Sequence, residues 1–482
     1  MTLSSVFVSA VLFLELLCIL GVLFLERKNP GSSIAWILFL VFFPIVGLIA
    51  YFYFGTGYKV NKKKKYAFKA ATDVLFNRHL EDALPVSGSL GFKANNPRLA
   101  RMVSYLSSAG DGGFTPNNAV DVFTDGKTLF EDVLQQMRQA TRHIHVLFYI
   151  IRNDTIGREM LSVLVEKARQ GVEVRLLVDS LGSFFAPTDL FKALLEAGGK
   201  VLEFYPVRIS HLARFRFNFR NHRKVIVIDG KVGYVGGMNV GDEYRGKHKR
   251  LTPWRDTHLR LQGTAVWFLQ ERFAMDWYYA ADMDVHKVDV DRYFPKVEPS
   301  GHIGVQIVSS GPDTESAPIK GGLMEILYTA RTSVWLQTPY FTPDEAFLGA
   351  MSSAALAGVD VRLMIPGKSD NQIVHLASLH FARLVREAGV KVYAYNGFLH
   401  AKTAVFDGLA ASIGTSNIGY RSFYLNFEIN AFIYNHSFAA EQEKLFLQDM
   451  ERCTELTPEW FANRPVWARV MQSTFRLFAP VM

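Results

Sequence analysis

A chain of 482 residues exceeds one ordinary hydrophobic core, so more than one structural unit is expected. Intrinsic disorder is excluded by 49% hydrophobic and 13% aromatic residues. With 53 basic against 45 acidic residues the net charge is +8, which suits a partner carrying phosphate: nucleic acid, nucleotide or an anionic membrane. Two cysteines, Cys18 and Cys453, exclude a disulfide framework and a cysteine-based zinc site. Both are expected to stay reduced, in keeping with a cytosol-facing body.

The N-terminus carries two apolar runs. Residues 6–25 contain one charge, Glu15, and residues 33–54 contain none. At 1.5 Å per residue each run covers about 30 Å, the thickness of a hydrocarbon core, so each is predicted to be a transmembrane helix. Trp36, Tyr51 and Tyr53 lie near the ends of the second run, where amphipathic rings favour the interface, and Pro44 and Gly47 predict a kink within it. A cleaved signal peptide would need a basic start and a small-residue cleavage site. The first charge is Glu15, and no such site precedes the second run. Residues 1–58 therefore read as a membrane hairpin and residues 59–109 as a basic linker. Lys59, Lys62, Lys63, Lys64, Lys65 and Lys69 outweigh Arg27 and Lys28 between the runs. The positive-inside rule then puts the Lys-rich side, and all that follows, in the cytoplasm. Those lysines read equally as a stop-transfer flank or as a hold on anionic headgroups. Glu15 reads as a functional intramembrane carboxylate or as one tucked against the partner helix; an insertion cost of only about 2.5–3.5 kcal/mol favours the second.

The remainder is a sequence repeated once. Residues 171–178 match 358–365, residues 196–202 match 387–393, and residues 143–149 correspond loosely to 333–339. The apolar runs read as buried strands, and residues 157–170 and 344–357 between them as helices. Strand–helix alternation predicts an α/β fold with a parallel or mixed sheet: two tandem α/β/α repeats, 110–298 and 299–482, forming one pseudo-twofold body. The turn between them is expected near Pro295–Gly304. The offset between copies drops from 191 (Lys200 to Lys391) to 178 (His222 to His400), so the first copy carries extra residues, best placed at Arg208–Arg220. There Phe215, Phe217 and Phe219 alternate with Arg214, Arg216 and Arg220. As a strand this segment has an aromatic and a cationic face, fit for an anionic lipid surface or simply half-buried.

The chemistry lies in two matched signatures. The first copy has His222, Lys224, Asp229, Gly236, Gly237 and Asn239; the second has His400, Lys402, Asp407, Gly414, Thr415 and Asn417 at the same spacing. Spacing two puts each His and Lys on one side of an extended segment. A lone His-x-Lys carries little information, whereas six matched positions occurring twice, each before an apolar strand, carry much. The types fit phosphodiester chemistry with no metal and no cofactor. Paired lysines act as point charges on non-bridging oxygens. One histidine attacks phosphorus; the other protonates the leaving alkoxide and then deprotonates the acceptor. Asn239 and Asn417 are expected to bind phosphate or shape the loop, and Asp229 and Asp407 to serve the site or to hold loops.

These signatures resemble the phospholipase D superfamily over roughly residues 110–435. The resemblance implies a carboxylate that orients a histidine, 28 residues after the second His, which is Glu428; the first-copy counterpart is Asp256 in Trp254–His258. It also implies His222 as nucleophile and His400 as acid and base. Residues 29–36, Pro44, Gly47 and 51–55, with 236–244 and 254–258, resemble bacterial cardiolipin synthases, so the likeness covers nearly the whole chain. It implies that two phosphatidylglycerols condense to cardiolipin with release of glycerol, through a phosphatidyl-histidine, at the bacterial inner membrane. Thr415 in place of a second glycine is a departure that adds a hydroxyl to the site.

Phosphatidylserine synthesis or phospholipid hydrolysis would use the same core, because the acceptor decides the product. A nuclease fits the charge, but the membrane runs oppose it, and no nucleic acid is expected as partner. A membrane-anchored scaffold with a dead site is opposed by intact His, Lys and Asn in both copies. His143 and His145 have metal-ligand spacing, yet in an apolar strand they read as core, as do Trp254, Trp267 and Trp277. The sequence is silent on oligomeric state.

Overall fold

The computed structural model describes residues 3–24, 30–51, 92, 96–110, 112–206, 219–281, 289–314 and 316–481. The lysines at 59–69, most of the linker, and residues 207–218 of the insert lie outside them.

The chain divides into two compact units, one of which holds the N-terminal helices. These are α1 (Leu3–Phe24), α2 (Pro30–Phe42) and α3 (Pro44–Ala50), the last two separated at Phe43, where the proline begins a new helix. Val22, Leu40 and Tyr51 form a small buried cluster, with Trp36 edge-on to Tyr51. Glu15 is tucked in, while Leu12, Phe13, Leu16, Ile34 and Phe42 are exposed. Among the described residues no helix is long and apolar enough to cross a membrane. The second apolar run is split at Phe43 into helices of 13 and 7 residues.

The other unit is built on one sheet. In chain order its elements are α4 (Pro97–Ala109), β1 (Thr115–Phe123), α5 (Gly126–Gln139), β2 (His143–Phe148), α6 (Thr155–Arg169), β3 (Glu173–Asp179), α7 (Thr188–Glu196), β4 (Lys200–Phe204), β5 (Val225–Ile228), β6 (Val232–Gly236), β7 (Trp254–Arg255), β8 (His258–Gln262), α8 (Ala265–Ala281) and α9 (Val290–Tyr293). Then follow β9 (Ile303–Ser310), α10 (Pro318–Thr329), β10 (Ser333–Gln337), α11 (Glu345–Leu356), β11 (Asp360–Pro366), α12 (Gln372–Glu387), β12 (Lys391–Tyr395), β13 (Phe398–Leu399), β14 (Thr403–Phe406), β15 (Ala410–Gly414), α13 (Tyr420–Tyr424), β16 (Glu428–Tyr434), α14 (His436–Met450), β17 (Cys453–Glu455), α15 (Pro458–Ala462) and α16 (Val466–Phe475).

Fifteen strands run β17-β12-β11-β10-β14-β15-β16-β9-β1-β8-β6-β5-β2-β3-β4. Apart from the edge strand β17, which has no counterpart, the order reads alike from either side of the β9–β1 seam, as two copies of one repeat require. The sheet is mixed: β2–β3–β4 and β10–β11–β12 are parallel, and the joins β2–β5 and β10–β14 are antiparallel. Period-two alternation separates the layers. Ile144, Val146 and Phe148 pack under α5 and α6, while His143 and His145 face α8 and share Gln270. Val334 and Leu336 face α10 and α11, and Trp335 meets Phe446 of α14. His143 and His145 are fully buried among Gln270, Phe273 and Tyr293, so they are core histidines, and Trp267 and Trp277 are buried on the same helix.

Of the two roles expected of Asp229 and Asp407, catalytic residue of the site or holder of a loop, the geometry is that of the second. Each is the first central residue of a hairpin turn, with φ of 53° and 52°, followed by Gly230 and Gly408 at positive φ. Lys231 N–H donates to Ile228 O, and Leu409 N–H to Phe406 O, which closes two Asp-Gly turns of type I′. The carboxylate of Asp229 accepts the amides of Thr141, Arg142 and His143 at 2.7–2.9 Å. That of Asp407 accepts those of Arg331, Thr332 and Ser333 at 2.8–2.9 Å and pairs with Arg98. Each turn is thus pinned to the start of β2 or β10. These amides hold both carboxyls below the usual range, although burial alone would raise them.

Asp229→Ala and Asp407→Ala should each cost roughly 2–4 kcal/mol, because three backbone amides lose a charged acceptor. The depressed carboxyl contributes stability above the ordinary aspartate pKa, and that contribution is lost as pH falls through the lower folded value. Denaturant unfolding at pH 7 and pH 3 checks both points; a loss of equal size at the two pH values would contradict them.

Candidate active site

The two His-x-Lys segments enter the site as short straps, and each strap pairs with the other repeat. His222 N–H donates to Phe427 O, and Phe427 N–H to Arg220 O, both at 2.9 Å. His400 N–H donates to Arg255 O at 2.7 Å, where β13 lies parallel to β7. The residue after each acceptor is a buried carboxylate. Glu428 therefore reaches Nδ1 of His222 at 3.3 Å, and Asp256 reaches Nδ1 of His400 at 2.6 Å. With Nδ1 held, Nε2 is the ring nitrogen left for chemistry.

Both histidines line one cavity of about 380 Å³ with Tyr149, Asn239, Tyr340 and Asn417. Beneath them lie Lys224 and Lys402, both buried, each donating from Nζ to the carbonyl of its own histidine. Burial, then the second lysine, lowers Lys224 to about 7, and burial lowers Lys402 to about 8; Glu428 and Asp256 oppose both shifts. Burial and Lys224 push His222 down to about 4, and His400 is lowered in the same way by burial and Lys402. Burial alone would raise Glu428 and Asp256, but the adjacent histidines and lysines hold both below the carboxylate range.

Alternation places Arg223, between His222 and Lys224, on the opposite face. It is fully buried, binds Asp276 of α8 through Nη1 at 2.7 Å to both oxygens, and donates from Nε to Glu428 O. The second copy has Ala401 at this position. The glycine-to-threonine difference also has a physical account. A Cβ on Gly237 would lie 2.1 Å from Asp256 Oδ1, so glycine admits that carboxylate. Thr415 instead donates its hydroxyl to Glu428 at 2.6 Å, which Ser422 also reaches at 2.8 Å.

Asn239 accepts from Ile150 N–H and donates to Tyr244, fixing its loop, whereas Oδ1 of Asn417 is buried with no partner among the described residues. The sequence reading singled out His222, Lys224, His400, Lys402, Asn239, Asn417, Glu428 and Asp256, and all of these meet here; Asp229 and Asp407 do not line the cavity. Trp254 was read as core but lies on the cavity wall. Arg421, Tyr149 and Tyr340 were missed. Arg421 occupies the repeat position of Glu243, so comparing the copies beyond Asn417 would have exposed a reversal of charge.

Two family models match the chain. One, a cardiolipin synthase phospholipase D-like domain, matches residues 133–247 and 323–450, and the other, a phospholipase D-nuclease N-terminal model, matches residues 14–55. The chain is similar to a cardiolipin synthase of Listeria innocua, 41% identical over 95% of both chains. It is similar to the major cardiolipin synthase of Bacillus subtilis, 40% identical over 100% of both. A Staphylococcus aureus cardiolipin synthase is 42% identical over 100% of this chain and 97% of its own. Among solved structures, a phosphatidylserine synthase of Haemophilus influenzae aligns with a TM-score of 0.59 at 12% identity, over 79% of this chain and 100% of that one, which bears on the fold alone. Relatives at this identity over the full length, together with the two matched repeats, make the chain a member of the bacterial cardiolipin synthases of the phospholipase D superfamily.

Proposed function

We propose that this protein joins two phosphatidylglycerols into cardiolipin and glycerol. The observation that carries the reading is the pair of histidines on one cavity, each held at Nδ1 by a carboxylate of the other repeat. Nε2 of His222 attacks the phosphorus of one phosphatidylglycerol. The bond from phosphorus to the glycerol oxygen breaks, and His400 gives its proton to that oxygen. His400 then takes the proton from the headgroup hydroxyl of the second lipid. That oxygen attacks phosphorus, the P–N bond breaks, and His222 is regenerated. The division of roles rests on an asymmetry. Asp256 lies 0.7 Å closer to its histidine than Glu428 does (2.6 against 3.3 Å), which favours imidazolium at His400 over imidazolium at His222. Glu428 is shared with Thr415 and Ser422, which leaves His222 neutral and nucleophilic. Lys224 and Lys402 would stabilise the charge that grows on the phosphoryl oxygens.

We also propose that residues 1–58 are a membrane hairpin, with the two repeats, 110–298 and 299–482, in the cytoplasm. The 22-residue α1 would reach about 33 Å at 1.5 Å per residue. The outward faces of α1 and α2 are apolar, and the lysines at 59–69 follow. A cysteine placed at Lys62 should react with an impermeant maleimide only in opened cells; labelling of intact cells would reverse the orientation.

Purified protein given phosphatidylglycerol alone should yield cardiolipin and glycerol by mass spectrometry. Phosphatidic acid instead would make it a hydrolase, and turnover only with CDP-diacylglycerol and serine would make it a phosphatidylserine synthase. His222→Ala and His400→Ala should each lower turnover by about 10⁴-fold or more. Radiolabelled lipid trapped by acid-free quenching should mark the peptide containing His222, and label on His400 would exchange the roles.

In the free enzyme, kcat/KM should fall below about pH 4 as His222 gains a proton. On the alkaline side it should fall as His400, the acid of the first step and itself lowered by burial and Lys402, loses its proton, and further at about pH 7–8 as Lys224 and Lys402 lose theirs. Bound phosphodiester favours the charged lysines, so the alkaline limb of kcat should lie higher than that of kcat/KM. Limbs at equal pH would contradict the lysine assignment.

A further inference from the structure

We propose that the rim of the active-site cavity is a docking face for an anionic bilayer, formed on one side by the Phe184-Phe185 loop and on the other by the start of α16. The inference rests on the reading of the substrate as a phospholipid, whose acyl chains stay in the bilayer while its phosphate reaches the histidines.

Both apolar features stand at the cavity end of the sheet. The first follows β3: Asp179 at its end accepts the Asn221 amide beside His222, and Ser183 donates to the carbonyl of Tyr149, which lines the cavity. Phe184 and Phe185 are 67% and 74% exposed, edge to face with each other. Two large rings at a loop tip bury nothing of the fold, yet they carry most of the apolar area of that loop.

The second follows β11. Asn371 and Val374, at the start of α12, line the cavity. Helix α16 packs alongside α12 in the same direction, since Arg464 lies near enough to His375 to lower it and Arg476 meets His380 at 3.3 Å. Its inner face buries Ala468 and Gln472. Its outer face offers Val466 and Trp467, 67% and 68% exposed, with Val470 a turn further on. The first turn of α16 is therefore next to the cavity wall.

The charge identifies the occupant. From Trp460 to Met482 the chain has no Asp or Glu and three arginines, of which Arg464 and Arg476 lie against α12 and Arg469 is exposed on α16. An amphipathic helix with exposed Trp and Val, flanked by arginine, suits an anionic interface rather than a neutral partner. Apolar side chains on both rims would bring the cavity mouth down to the level of the headgroups.

The test uses the full chain in nanodiscs containing phosphatidylglycerol, with Cys18 and Cys453 replaced by serine. Single cysteines at Phe185, Trp467 and Leu356 carry a fluorophore. Leu356 is the control: it is 77% exposed but precedes β11, at the end of the strands opposite the cavity. Labels at 185 and 467 should be quenched by nitroxide-bearing lipid, and the label at 356 only by an aqueous quencher. Lipid quenching at neither rim or at only one, or protection of both rims from both quenchers as a second protein would give, would overturn the proposal. A Val466→Ser, Trp467→Ser variant should raise the apparent KM for lipid in bilayers roughly tenfold, with little change for lipid in detergent micelles. Quenching requires no turnover, so a protein that docks without making cardiolipin would refute the activity and leave this surface standing.

Discussion

Each histidine of the cavity is oriented by a carboxylate that belongs to the other half of the chain. Glu428 of the second repeat holds His222 of the first, and Asp256 of the first holds His400 of the second. The exchange is enforced by the backbone, because each His strap is hydrogen-bonded to the segment that ends in the opposite carboxylate. Neither repeat alone contains a complete histidine–carboxylate pair. The seam between β1 and β9 therefore does more than join two sheets: it sets the distance between the two halves of one reaction.

Four ionisable groups lie buried beneath the cavity, and they are tolerable only together. An isolated buried lysine loses its charge, and an isolated buried carboxylate gains a proton. Here Lys224 and Lys402 are interleaved with Glu428 and Asp256, and each lysine also donates to a histidine carbonyl. The cluster is near neutral by itself, so a phosphodiester entering it adds the negative charge that two depressed lysines favour. Substrate binding and lysine protonation are thereby linked, and the strongest field arises where charge develops at phosphorus.

The repeat and its strands were legible because period-two apolar runs survive in both copies, and the histidines and lysines because they recur at one spacing. Asp229 kept two readings open because a signature records sequence distance, not role: it stands seven residues from His222, at the far end of β5, where an Asp-Gly pair is demanded by the turn. Arg223 was illegible for the opposite reason. Alternation turned it away from the site, and nothing local announces that Asp276 of α8 will receive it. Trp254 reads as core by composition, yet it meets Phe398 edge-on beside the cavity, because β7 and β13 pair across repeats distant in sequence. Cross-repeat contacts of this kind have no signal in a window of residues.

The twofold pattern ends at the cavity wall. Equivalent positions carry Arg220 and Phe398, Glu243 and Arg421, Trp254 and Asn426. The result is a histidine pair in unlike surroundings. His400 is ringed by Tyr244, Trp254 and Phe398, with centroids at 5.7–6.2 Å. His222 has Tyr149 at 4.7 Å and shares its side of the wall with Arg220 and Arg421. Aromatic walls exclude water around His400, and this handicaps a hydroxide that would compete with an alcohol for phosphorus. Guanidinium groups near His222 suit a phosphodiester and oppose protonation of its ring. A symmetric scaffold with symmetric walls would make the two histidines equivalent; the divergence of these few side chains is what gives one cavity two chemically unlike sides.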